Sequence, residues 1–69
     1  MPVSYKIKEF LKRKHMTQPY LSELTGINKS TLIGKFYRDN FEANDLVKIA
    51  EAMDCKLAFV KDGEVFILE

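Results

Sequence analysis

The sequence is poor in the groups that staple small proteins or carry catalysis. It has one cysteine, Cys55, one histidine, His15, and no tryptophan. A single cysteine closes no internal disulfide, and one Cys with one His makes a poor metal set. His15 lies in a basic stretch with no carboxylate or nucleophile arranged around it, so no enzyme chemistry is read from it. The glycines, Gly26, Gly34 and Gly63, form no phosphate-binding motif, and Asp62-Gly63 lacks the further acids of a calcium loop. No apolar run approaches the roughly 18–20 residues of a membrane span, and nothing reads as a signal peptide. These absences predict a cytoplasmic non-enzyme with no metal, no cofactor and no small-molecule substrate.

A chain of 69 residues holds one small core, which rarely stabilises a fold well unless something staples it. With disulfide and metal excluded, oligomerisation is the remaining route. Cys55, between a helical and an extended stretch, reads as a small core residue rather than a redox switch.

The net charge of +1 conceals an uneven distribution. Residues 1–40 carry eight bases (Lys6, Lys8, Lys12, Arg13, Lys14, Lys29, Lys35, Arg38) and three acids, a balance of +5. Residues 41–69 carry three bases and seven acids, a balance of −4. A basic first half suits a polyanion touched by one end of the molecule.

Hydrophobic periodicity predicts four helices. In the first, Val3, Ile7, Phe10 and Leu11 fall at helical spacing, with Ser4 as N-cap and an end near Lys14. The second starts at Thr17, an N-cap, with Pro19 in the first turn and Met16 placed to pack on Leu21 as a hydrophobic staple. Leu21 and Leu24 form its inward stripe, and Gly26 ends it in the left-handed conformation. The third opens at Asn28 and presents Leu32 and Phe36 on one face. Two short helices joined by a tight turn containing glycine form a helix-turn-helix arrangement. Asp39-Asn40 breaks the pattern. Leu46, Ile49, Ala50 and Met53 then make a fourth amphipathic stripe, with Asp45 near its positive end.

The period changes after Cys55. Residues 56–60 and 64–68 are rich in β-branched and aromatic side chains, and Asp62-Gly63 between them is a strong hairpin signal. A two-residue turn pairs Lys61 with Glu64, Val60 with Val65, Phe59 with Phe66, Ala58 with Ile67 and Leu57 with Leu68. One face then carries Leu57, Phe59, Phe66 and Leu68. The other carries Ala58, Val60, Val65 and Ile67. A small domain can bury one of these on its own helices, so Ala58, Val60, Val65 and Ile67 are expected to meet a second chain in a homodimer.

The run Thr17-Gln18, Leu21-Ser22, Gly26-Ile27 and Asn28-Lys29-Ser30-Thr31 resembles the Cro/repressor-like (XRE) family of DNA-binding proteins. The stretch from Lys35 to Phe41, followed by Leu46 to Cys55, looks like a branch found in small firmicute and prophage regulators. The resemblance covers about residues 5–57. It implies a mainly α, lambda-repressor-like helix-turn-helix domain over residues 1–55, followed by a C-terminal two-stranded hairpin over residues 56–69. It also implies double-stranded DNA as partner and a transcriptional regulator, a repressor by family analogy, on a palindromic operator.

In that docking mode the third helix enters the major groove. Lys29 and Ser30 are then the expected base readers, since lysine can donate to guanine and serine is an unselective partner. Asn28 can cap its helix, contact a phosphate or read adenine. Ile33 can touch a thymine methyl, and Gly34 can allow close approach. Gln18 at the start of the second helix, with Tyr20, Thr31, Lys35 and Arg38, is expected on phosphates, Tyr20 being equally consistent with a half-buried packing role. Glu42 stands where the family has a serine or threonine cap, which predicts an irregular start to the fourth helix. An antitoxin-like module that holds a second small protein is the alternative on the same fold.

Overall fold

The computed structural model describes residues 2–68. Met1 and Glu69, the outer ends of the two expected segments, lie outside the described residues. Among the described residues the order is α1 (Val3–Arg13), α2 (Gln18–Thr25), α3 (Lys29–Arg38), α4 (Ala43–Ala52), β1 (Ala58–Lys61) and β2 (Glu64–Ile67). This is the mainly helical architecture with a terminal hairpin that the periodicity predicts.

The boundaries of the helix pair follow from their caps. The Thr17 hydroxyl oxygen accepts the Tyr20 N–H at 3.2 Å, and Pro19 occupies the first turn. Gly26 at φ 76° ends α2 in the left-handed region that glycine enters without steric cost. Asn28 caps α3, its side-chain oxygen accepting from the Ser30 N–H at 3.0 Å and the Thr31 N–H at 3.4 Å. These donors have no partner inside the helix, so each capped pair fixes where the helix begins.

Two helix starts differ from expectation. Ser4 is not an N-cap: α1 begins at Val3 behind Pro2, and Ser4 is buried inside the first turn. Its backbone N–H donates to Asp39 Oδ1 at 2.7 Å, so the cap of α1 comes from the far end of α3. Asp39 itself stops α3 at φ 55°. The start of α4 is regular despite Glu42, because Asp45 reaches back to accept the Glu42 N–H at 2.9 Å. A capping-box carboxylate three residues into the helix substitutes for a cap hydroxyl.

The core is Leu11, Leu21, Ile27, Leu32, Phe36 and Ile49, with Ile7, Met16, Phe41, Ala52 and Met53 packed around it. Phe41 meets Phe36 edge to face, with ring centroids 5.0 Å apart. Such pairs contribute about 0.5–1.5 kcal/mol beyond burial. Leu24, expected on the inward stripe, is instead 44% exposed, because α2 directs Leu21 and not its neighbour three residues on into the core.

The hairpin has the expected register from Ala58↔Ile67 to Lys61↔Glu64, extended by the Leu68 N–H donating to the Leu57 carbonyl at 2.8 Å. Asp62 and Gly63 both take positive φ, the twist that suits a two-residue hairpin. One expectation fails. Neither face packs on the helices: Phe59 is 69% and Phe66 56% exposed, and Val60, Val65, Ile67 and Leu68 are exposed as well. Only Leu57 and Ala58 at the foot are half-buried, because the short link after α4 carries the strands away from the core.

Candidate nucleic-acid interface

Helix α3 divides its residues sharply. Leu32 and Phe36 point into the core, which turns Ser30, Ile33, Gly34, Tyr37 and Arg38 outward along a stripe of i, i+3, i+4, i+7, i+8 spacing. Lys29 and Thr31 flank its start and are exposed. The stripe is bounded at its N-terminal end by the Asn28 cap. Ser30 Oγ donates to Asn28 Oδ1 at 2.7 Å, and both residues are exposed, so the serine lone pairs and the Asn28 amide N–H groups can serve another molecule.

Gly34 lies at the centre of this stripe. A Cβ built there would stand 2.9 Å from an Arg38 guanidinium nitrogen. The arginine therefore folds back across the glycine, and the absence of a side chain is what admits it. Ile33 on one side is 45% exposed, an apolar surface of the kind that meets a thymine methyl.

Lys35 is placed differently from the other expected contacts. Its side chain is 19% exposed, and its ammonium lies 2.8 Å from Asp45 Oδ2 on α4. The hydrogen bond to Asp45 raises the Lys35 pKa above its ordinary 10.5. Burial pushes the Asp45 carboxyl up, but the Lys35 hydrogen bond, the Glu42 N–H and the charges of Lys35 and Lys48 outweigh it and hold it below its ordinary 3.8. Lys35 thus ties α3 to α4 rather than facing solvent.

The flank at the start of α2 is assembled from two helices. Gln18 is half-buried and lines a cleft of about 320 Å³ with Lys8, Leu11, Lys12 and Met16. Tyr20 is half-exposed nearby in sequence. Lys8 and Lys12, one turn apart on α1, are cations that reading the helix pair alone leaves out. The four-residue spacing on the polar face of α1 carried the signal, but only the packed position of α1 brings them beside Gln18. Tyr37 was also missed. It is 88% exposed, and its position seven residues after Ser30 was readable as periodicity of the outward face.

Ala58, Val60, Val65 and Ile67 lie on the hairpin, away from this surface, and Val60 and Val65 are among the more exposed side chains. No helix among the described residues is long and apolar enough to cross a membrane.

Comparison with curated proteins and with solved structures returns no match. The family model of the Cro/C1-type HTH DNA-binding domain matches residues 6–58, from the first turn of α1 to the first residue of the hairpin. The capped helix pair and its outward stripe thus fall wholly inside the matched span, and the chain belongs to the Cro/C1-type helix-turn-helix family of DNA-binding domains.

Proposed function

We propose that the protein is a sequence-specific transcriptional regulator, a cytoplasmic non-enzyme that represses by occupying a palindromic operator as a homodimer. The observation that carries the reading is the outward stripe of α3, which pairs a polar start at Ser30 with an apolar and aromatic continuation at Ile33 and Tyr37. Such a helix face matches the mixed donor, acceptor and methyl pattern of a major groove.

In this reading Lys29 and Ser30 contact base edges, with Asn28 donating from its amide while its oxygen caps the helix. Ile33 meets a thymine methyl, and Gly34 lets the groove approach. Gln18, Tyr20, Thr31 and Arg38 hold phosphates, joined by Lys8 and Lys12 from α1. Tyr37 adds its ring or hydroxyl at the far end of the stripe. Lys35 acts as a positioning residue, because its charge is already committed to Asp45. Ala58, Val60, Val65 and Ile67 form the dimer contact, spacing the reading helices for half-sites about 10 bp apart.

Selection of bound duplexes from a random pool at about 150 mM salt tests this, because phosphate contacts alone weaken steeply as salt rises. Enrichment of a two-fold symmetric site is expected. The exposed hairpin favours a second reading, a module that holds another small protein on its apolar strands. Absence of any enriched sequence from a folded protein, with a co-purifying second chain, selects that reading instead.

A further inference from the structure

We infer that the apolar groove between α1 and α4 is the seat for the hairpin of a second copy of this chain, so that two copies exchange hairpins reciprocally. The inference rests on the homodimer reading above, but assigns the contact to the opposite strand face, that of Phe59 and Phe66, and names the groove that receives it.

The groove lies at the foot of the hairpin. Ile7 and Phe10 form one wall, Leu46, Ile49 and Ala50 the other, and Leu57 closes the end; its volume is about 240 Å³. Lys6 and Lys56 stand at its rim. Its walls are thus almost wholly apolar, and an apolar concavity open to water is an unfavourable surface to leave uncovered.

The hairpin has the complementary defect. Its strands are four residues each, and an isolated two-stranded ribbon of that size is marginal in water. Phe59 and Phe66 pair across it and both stand exposed. The chain's own hairpin does not fill the chain's own groove: Leu57 sits at the groove's end, and the strands leave from there. On this inference the groove receives the aromatic pair of a second copy.

Charge supports the same arrangement. The tip carries Asp62 and Glu64 against the single base Lys61, whereas the groove rim carries Lys6 and Lys56. Lys6 is only loosely held by Glu9, at 3.7 Å and largely exposed. In a two-fold pair with antiparallel hairpins, the tip of each lies at the foot of the other. The net acidic tip then meets the basic rim twice, as an isologous interface requires. Each strand of four residues spans about 13 Å, enough to cross a helix of about 10 Å diameter.

The sole cysteine offers a direct test, because Cys55, expected in the core, is instead exposed and lines the groove. Phe66→Cys puts a second thiol on the hairpin, and mild oxidation followed by peptide mapping reads which thiols meet. A covalent dimer joined between Cys55 of one chain and position 66 of the other is expected. A dimer joined only through position 66 on both chains means that hairpins meet each other without the groove, which overturns the exchange and leaves the homodimer standing. A monomeric mass for the unaltered chain by light scattering overturns both. Leu46→Lys, with the hairpin native, should weaken dimerisation at least about 10-fold while the helical signal persists. An unchanged dimer from that folded variant also overturns the exchange.

Discussion

Lys35 of α3 and Asp45 of α4 meet at 2.8 Å, and the same carboxylate accepts the N–H of Glu42 that starts α4. One carboxylate therefore begins one helix and anchors the neighbouring one. The junction adds an ion pair between α3 and α4 to the core packing of Leu32 and Phe36 that turns the stripe outward.

The junction predicts a pH dependence with two limbs. Asp45 titrates below its ordinary value, so its contribution is present above pH 3.8 and lost as pH falls through the folded-state value. Lys35 titrates above its ordinary value, so its contribution is present below pH 10.5 and lost as pH rises beyond it. Thermal midpoints of the native chain and Lys35→Met should differ most across the plateau and converge at both extremes. A constant difference from acid to alkali would contradict the pair's role.

Asn28 caps α3 through its side-chain oxygen. Asn28→Ala should destabilise the fold by about 1 kcal/mol, a melting point about 4–8 °C lower for a domain of this size. Asn28→Ser, which can also cap, should recover most of that loss. Circular dichroism melts of the two variants decide this, since equal losses would remove the cap as the cause.

Gly34→Ala should separate stability from binding. Alanine favours the helix by up to about 1 kcal/mol, and the group its Cβ displaces is the flexible end of Arg38. The melting point is expected to rise while affinity for DNA falls about 10-fold, as the methyl occupies the approach surface. Anisotropy titration beside a melt gives both numbers, and unchanged affinity would deny Gly34 its place in the interface.

Tyr37 is too exposed to stabilise the fold, so Tyr37→Ala should leave stability within about 0.5 kcal/mol. A loss of DNA affinity without a change in melting point is the expected pattern. Lys12→Ala should instead lower the salt dependence of binding by about one counterion and weaken all sequences alike. If Lys12→Ala leaves the salt slope untouched, the cleft beside Gln18 holds no phosphate.

Val65→Lys puts a charge on an exposed apolar strand face without disturbing the helical core. The expected result is a monomer by light scattering with helical content retained. A dimer of unaltered mass would exclude the Val60 and Val65 face as the contact and leave the opposite face, with Phe59 and Phe66.

Much of this molecule was readable along the chain, because caps, turns and stripes are local. Thr17, Gly26 and Asn28 mark the helix pair by side-chain and backbone chemistry that acts within three or four residues. Asp62-Gly63 determined the hairpin register in the same way, since positive φ at both positions leaves one pairing. The outward stripe of α3 is also local, and Tyr37 belongs to it by its spacing of seven residues from Ser30. What the tertiary structure alone decided involves partners distant in sequence. The Ser4 N–H finds Asp39 thirty-five residues away, and Lys35 turns from solvent to Asp45 because α4 packs beside it. Lys8 and Lys12 come beside Gln18 only when α1 docks. The hairpin illustrates the limit most clearly: its alternation specifies two apolar faces, but whether either is buried depends on where the link after α4 sends the strands. Local rules place a side chain on a face; only packing supplies what that face meets.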